Sequence, residues 1–211
     1  MDRPAAVIYD CEFLTAEGAM RRNWCGPHDP DPLLAQIGAV RLGLDDDFPV
    51  LDTLRVFVAP LDRFGAPCSL DPYFTDLTGI TPETLAAEGL PLTEALHRFT
   101  GFVHEAPMWA WGKDELTAIG ISCFVAGIAP PFPANRFGNA AQLLLKTGMP
   151  PEAVTTTQSN ELADWHGIEV PGRRAHDALD DALSVAHTLR HHLRTRALTP
   201  EDLLDTATQP D

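Results

Sequence analysis

Three short apolar runs rich in β-forming residues crowd the first 58 positions, and no helical period separates them. The first, Ala5-Ala6-Val7-Ile8-Tyr9, ends on Asp10. Its length and its Val-Ile-Tyr content describe a buried strand. Ala35 to Leu42 and Thr53 to Val58 follow, divided by the acidic turn Asp45-Asp46-Asp47. Strands joined by so short a link pair antiparallel, because a parallel partner needs a crossover of about a dozen residues. Residues 15–34 hold Gly18, Gly26, Pro27, Pro30 and Pro32 without periodicity and read as a long loop. The chain therefore opens as a β-meander.

Beyond residue 80 the pattern changes. Thr81-Pro82-Glu83-Thr84 has a capping threonine and a proline at the first helical position. Leu92, Leu96, Phe99 and Val103 recur at helical spacing. Met108 to Trp111 reads as a fourth strand, followed by a helix from Glu115 to Val125. Prolines between 130 and 133 break the chain, and Arg136-Phe137 reads as a fifth strand. Short helices are expected over 139–146 and 159–166, and a long one over 175–193 with Leu179, Leu183, Ala186 and Leu193 on its apolar side. A meander followed by alternating helices and strands is an α/β domain with a mixed sheet. It is expected to fill residues 1–198, leaving 199–211 as a polar tail with one helical turn from Glu201 to Leu204.

Charge and cysteines narrow the function. Fifteen basic residues, only two of them lysine, face thirty acidic ones, for a net charge of −15. A protein that merely coats nucleic acid or an anionic membrane is basic, so plain electrostatic binding is disfavoured. Cys11, Cys25, Cys68 and Cys123 show neither a Cys-x-x-Cys pair nor a zinc-like spacing, which fits free thiols in a reducing compartment. The opening residues lack a signal-peptide core, and the most apolar run, Leu116 to Ala129, is too short to span a bilayer. A cytoplasmic location is the expectation.

Several acids stand where chemistry could use them. Asp10 and Glu12 lie two apart at a strand end, so their side chains share a face and converge. Paired carboxylates repel unless a cation sits between them, and a hard divalent ion with oxygen ligands suits them best. A solvated strand end is the plain alternative. His176 and Asp181 lie in the run His-Asp-Ala-Leu-Asp-Asp-Ala at the start of the last helix. Asp181 falls beside the apolar stripe, a costly place for an unpaired charge; otherwise these acids complement the helix dipole. Asp114 and Glu115 begin the helix after the fourth strand, where capping would also explain them. Trp109 and Trp111 read as core, with a base-stacking wall as the alternative.

Taken together and in this order, these segments resemble the DnaQ-like, or DEDDh, 3′→5′ exonucleases. The resemblance spans about residues 5–193 and rests on Tyr9-Asp-Cys-Glu-Phe, Gln36-Ile-Gly-Ala-Val, Thr78-Gly-Ile-Thr-Pro-Glu and His176-Asp-Ala-Leu-Asp-Asp-Ala. It implies a ribonuclease H-like mixed five-stranded sheet, an antiparallel meander then parallel strands, flanked by helices. Two departures stand out. The threonine that often follows the motif glutamate is displaced by Phe13 and Leu14, with Thr15 next. In Trp111-Gly-Lys-Asp-Glu, residue type favours Asp114 as the second-motif acid, whereas an ungapped match favours Glu115.

The resemblance implies a metal-dependent 3′→5′ exonuclease acting on single-stranded RNA or DNA 3′ ends, RNA favoured. Two divalent cations, Mg²⁺ or Mn²⁺, would be held by Asp10, Glu12, Asp114 and Asp181, with His176 as general base. Phe13 and Leu14 would wedge against the terminal base, and Arg21-Arg22, Lys113, Arg136 and Arg173-Arg174 could form a modest basic track. A homodimer is compatible with this reading. Competing readings are a non-cleaving exonuclease-like module that binds nucleic acid or protein, and a phosphodiesterase of small nucleotides. The basic cluster Arg190 to Arg196 falls at a helix C-terminus, where dipole compensation suffices.

Overall fold

The computed structural model describes residues 3–170, 172 and 174–206. β1 (Ala5–Phe13), β2 (Leu34–Gly43) and β3 (Val50–Phe57) form the antiparallel meander. β4 (Met108–Ala110) pairs parallel to β1, and β5 (Phe137–Asn139) parallel to β4. The resulting five-stranded sheet has the order β3-β2-β1-β4-β5, which makes β1 its central strand. The helices are α1 (Pro72–Thr78), α2 (Pro82–Glu88), α3 (Leu92–Val103), α4 (Asp114–Ala126), α5 (Ala140–Lys146), α6 (Pro151–Thr156), α7 (Leu162–Trp165), α8 (Ala178–Arg194) and α9 (Pro200–Leu204).

A central strand with helices on both faces must be apolar on both, which explains the unbroken run at residues 5–9. Val7 and Tyr9 share one cluster with Phe99 of α3 and Ile119 and Cys123 of α4. Ala6 and Ile8 share the opposite cluster with Ala182, Val185 and Leu189 of α8. The sheet is thus clamped between α3–α4 and α8, and β1 carries its C-terminal end to where α4 and α8 both begin.

Four sequence expectations are corrected. α1 and α6 are helices the periodicity does not reveal, because α1 buries only Phe74 and α6 buries nothing. α1 is set by its ends: the Asp71 carboxylate accepts from the Tyr73 amide at 2.9 Å, and Gly79 closes it at φ 72°. The helix expected over 159–166 splits into a 3-10 turn (Ser159–Glu161) and α7. The last long helix starts at Ala178, three residues late. Finally, Thr199 to Leu204 packs as part of the domain: Leu203 is fully buried, and its carbonyl accepts from the Trp109 indole at 2.9 Å. Leu198 and Leu203 carry that docking, and two apolar side chains five apart are too faint a signal for a sequence pattern.

The tryptophans are structural. Trp109 is fully buried, and a Cβ on Gly138 would meet its ring at 2.5 Å, so that glycine makes room for the indole. Trp111 donates to the Thr157 carbonyl at 2.9 Å. Neither forms a stacking wall. Among the described residues no helix is long and apolar enough to cross a membrane.

Candidate active site

β1 delivers Asp10 and Glu12 to one face at its C-terminal end, where the pairing with β2 slips between Glu12 and Phe13. Opposite Asp10 on β2 lies Gly38, and opposite Glu12 lies Gln36. A Cβ on Gly38 would stand 2.1 Å from the Ala178 carbonyl carbon, so only glycine lets the first turn of α8 settle on the sheet here. Gln36, fully buried, accepts from the Ala178 amide at 2.7 Å and satisfies one of that helix's orphan donors. The Gln-Ile-Gly segment is thus the seat of α8.

That seat brings Asp181 to the carboxylates of β1. Ligand atoms of Glu12, His176 and Asp181 all lie within 4.8 Å of one another. His176 sits just before α8 at φ 59°, a left-handed backbone uncommon for a non-glycine residue. Asp177 is the N-cap, accepting from the Asp180 amide. The sequence pattern places His176 inside the first helical turn; it instead precedes the helix, and its unusual backbone turns the ring toward the acids.

At the second motif the geometry favours Glu115 over Asp114, against the expectation from residue type. Asp114 is exposed at the start of α4, whereas Glu115 is buried. Glu115 continues the inward stripe of Ala118, Ile119, Ser122 and Cys123, a helical periodicity that could have identified it. Its charge reaches Asp10 and Glu12, and its Oε2 is buried without a hydrogen-bond partner among the described residues.

Burial raises the Asp10 carboxyl well above the usual range, and the charges of Glu115, Asp181 and Glu12 push it further; a Ser159 hydrogen bond opposes them. Glu12 is raised by burial, then by Asp181, Asp177 and Glu115. Burial lifts Glu115 to about 8, with Asp114 adding to the rise. His176 is lowered by burial against a smaller upward pull from Glu161, which leaves the neutral, proton-accepting imidazole dominant at pH 7. Acids that raise one another's pKa while sharing a pocket are relieved by a cation, and the donor set of carboxylate oxygens suits a hard divalent one. The residues fit a metal.

The remaining expectations divide. Leu14 is buried among Leu33, Phe74, Ile80 and Leu85 and is core, not a wedge. Phe13 stays partly exposed, its ring 5.4 Å from that of Trp24, a loop residue that no sequence motif singles out. Of the basic track, Arg22 is paired with Asp29 at 2.6 Å and Arg136 donates to the His104 and Ala106 carbonyls. Arg174 is paired with Asp177 at 2.8 Å, and Arg173 lies outside the described residues. Arg21 and Lys113 remain exposed.

No family model matches the sequence, and no curated protein matches it. Solved structures do. The nuclease domain of 3′hExo, a DEDDh family member bound to rAMP, superposes with a TM-score of 0.75 at 18% identity, over 92% of this chain and 93% of that one. Cell-death related nuclease 4 gives 0.70 at 17% identity, over 92% and 64%. The zinc-bound E. coli exonuclease I–single-stranded DNA complex gives 0.65 at 18%, over 95% and 42%. The chain shares the ribonuclease H-like fold of these structures. It spans 62% of a full-length 3′-exonuclease and 42% of exonuclease I, so the likeness is to a nuclease domain within longer chains. Within that ribonuclease H-like fold, the acids gather at the carboxyl end of the central strand, where open α/β sheets place their sites.

Proposed function

We propose that the protein is a metal-dependent exonuclease that hydrolyses single-stranded nucleic acid from its 3′ end, RNA in preference to DNA. One observation carries the reading. Asp10, Glu12, Glu115, His176 and Asp181, drawn from three distant stretches of the chain, gather at the carboxyl end of β1, with Glu12, His176 and Asp181 close enough to share an ion. Asp10, Glu12, Glu115 and Asp181 would hold two Mg²⁺ or Mn²⁺ ions, which supply positive charge against the scissile phosphate and its leaving oxygen. This also offsets the chain's charge of −15 where substrate must approach. His176 takes the proton of the attacking water, a role its neutral form suits. Phe13, with Trp24 against it, offers an aromatic surface to the terminal base. The preference for RNA rests on the resemblance of Tyr9-Asp-Cys-Glu-Phe and Trp109-Ala-Trp to RNA-processing branches of the DEDDh family, and on likeness to a domain bound to rAMP. The proposed location is cytoplasmic. The fold and the likenesses lend nothing to the homodimer.

End-labelled single-stranded RNA, single-stranded DNA and a dinucleotide, each with Mg²⁺, Mn²⁺ or EDTA, test the proposal. Stepwise shortening of RNA from the 3′ end, abolished by EDTA, is the expected result. Retention of oligonucleotide without cleavage would mark a binding module, and cleavage of the dinucleotide alone a small-nucleotide phosphodiesterase.

A further inference from the structure

Asp10 on β1, Gly38 on β2 and Arg55 on β3 stand in one cross-strand row, since Asp10 pairs with Gly38 and Gly38 with Arg55. Side chains at paired positions share a face. The vacancy at Gly38 is filled by the first turn of α8, so that turn is seated between Asp10 on one side and Arg55 on the other. Arg55 grips it: its guanidinium lies 2.6 Å from Asp177 Oδ1 and 3.5 Å from Asp180 Oδ1. Asp177 is buried and is the cap of α8, adjacent in sequence to His176. Arg174 holds the other Asp177 oxygen at 2.8 Å, and its backbone amide donates to Asp180 Oδ2 at 2.8 Å.

We infer that Arg55 is a positioning residue for the site: through Asp177 it fixes the His176–Asp181 turn against β1, so that Glu12, His176 and Asp181 stay within reach of one ion. The inference rests on the reading of the site as metal-dependent. It has an electrostatic side as well. The buried Asp177 carboxylate, next in sequence to His176, has its charge offset by both Arg55 and Arg174. Asp177 and Asp180 bind the arginines, while ligand atoms of Glu12, His176 and Asp181 lie within 4.8 Å of one another.

The test compares the wild type with Arg55→Gln, Arg55→Lys, Asp177→Asn and the Arg55→Gln/Asp177→Asn double variant. Arg98→Gln, which breaks an exposed helical pair with Glu94 far along the chain, is the control. Mn²⁺ binding is read by calorimetry, oligonucleotide cleavage across Mn²⁺ concentrations, and stability by urea unfolding. Arg55→Gln is expected to raise half-saturating Mn²⁺ about tenfold, a cost of about 1.4 kcal/mol. KM for the oligonucleotide should move less than about twofold, and Arg55→Lys should recover part of the loss, because it keeps the charge without the fork. If Arg55 acts through Asp177, the double variant is no worse than the worse single one. An unchanged Mn²⁺ dependence in Arg55→Gln, with only a lower urea midpoint, overturns the inference, as do additive losses. Should Arg55→Gln fail to fold, the Arg55→Lys and Asp177→Asn variants carry the same comparison. A wild type that neither binds Mn²⁺ nor cleaves refutes the nuclease reading itself.

Discussion

Replacing Glu115 by glutamine should change how the metal-free protein responds to pH. In the folded state Glu115 titrates at about 8 instead of 4.5. Below about 4.5 it is protonated folded or unfolded and has no pH-linked effect. Between the two values the folded state holds a proton that the unfolded chain has released, so stability falls as pH rises. A tenfold change in acidity is worth about 1.36 kcal/mol, so the full penalty above pH 8 is about 5 kcal/mol. Only part of that range is convenient to measure. From pH 5.5 to 8.5 the penalty grows by about 3 kcal/mol. Glu115→Gln lacks this loss, and Asp10 is relieved in the same direction because Glu115 is its leading charged neighbour. Urea unfolding in EDTA at both pH values is the assay. Wild type should lose about 3 kcal/mol more than the variant on going to pH 8.5. Saturating Mn²⁺ should reverse the order, stabilising the wild type and leaving the variant little changed. Parallel pH dependences in EDTA, within about 1 kcal/mol, would refute the placement of Glu115 among the buried acids.

Four further outcomes are expected. Asp10→Asn and Asp181→Asn should each abolish cleavage while keeping the circular dichroism of the wild type; wild-type turnover by either in saturating Mn²⁺ would remove it from the site. Glu115→Gln should be inactive and Asp114→Asn active in the same oligonucleotide assay, and the reverse ranking would restore the exposed acid. His176→Ala should lose roughly 10²–10⁴-fold in single-turnover rate with Mn²⁺ binding retained, so a near-normal rate would deny it the proton-accepting role. Gly38→Ala, whose Cβ would meet the backbone of Ala178 at 2.1 Å, should cost about 3 kcal/mol and lower Mn²⁺ affinity as α8 is pushed off the sheet.

Much of the fold is legible in the sequence because strands and long helices announce themselves by period. The β-meander, the α3 stripe and the Asp10–Glu12 pair are all readable that way. The Gln36-Ile-Gly-Ala-Val segment can be recognised but not explained from sequence, since its reason is a helix about 140 residues downstream docking on a missing side chain. Asp114 and Glu115 are neighbours about 100° apart around a helix, so the choice between them depends on helical phase and not residue type. Leu14 reads wrongly as a wedge because the slip in pairing after Glu12 alters which way the strand end faces. The left-handed turn at His176 has no local signature, as neither glycine nor asparagine marks it.

The set of acids is completed by α8, because Asp10 and Glu12 come from the first strand and Asp181 from the last long helix. A chain growing on the ribosome therefore displays two of its acids early but cannot complete the set until residue 181 has left the exit tunnel. During that interval the emerging polypeptide lacks part of the proposed site. The proposed site therefore depends on a single docking event, the seating of α8 on Gly38, and its acid set exists only in the folded domain.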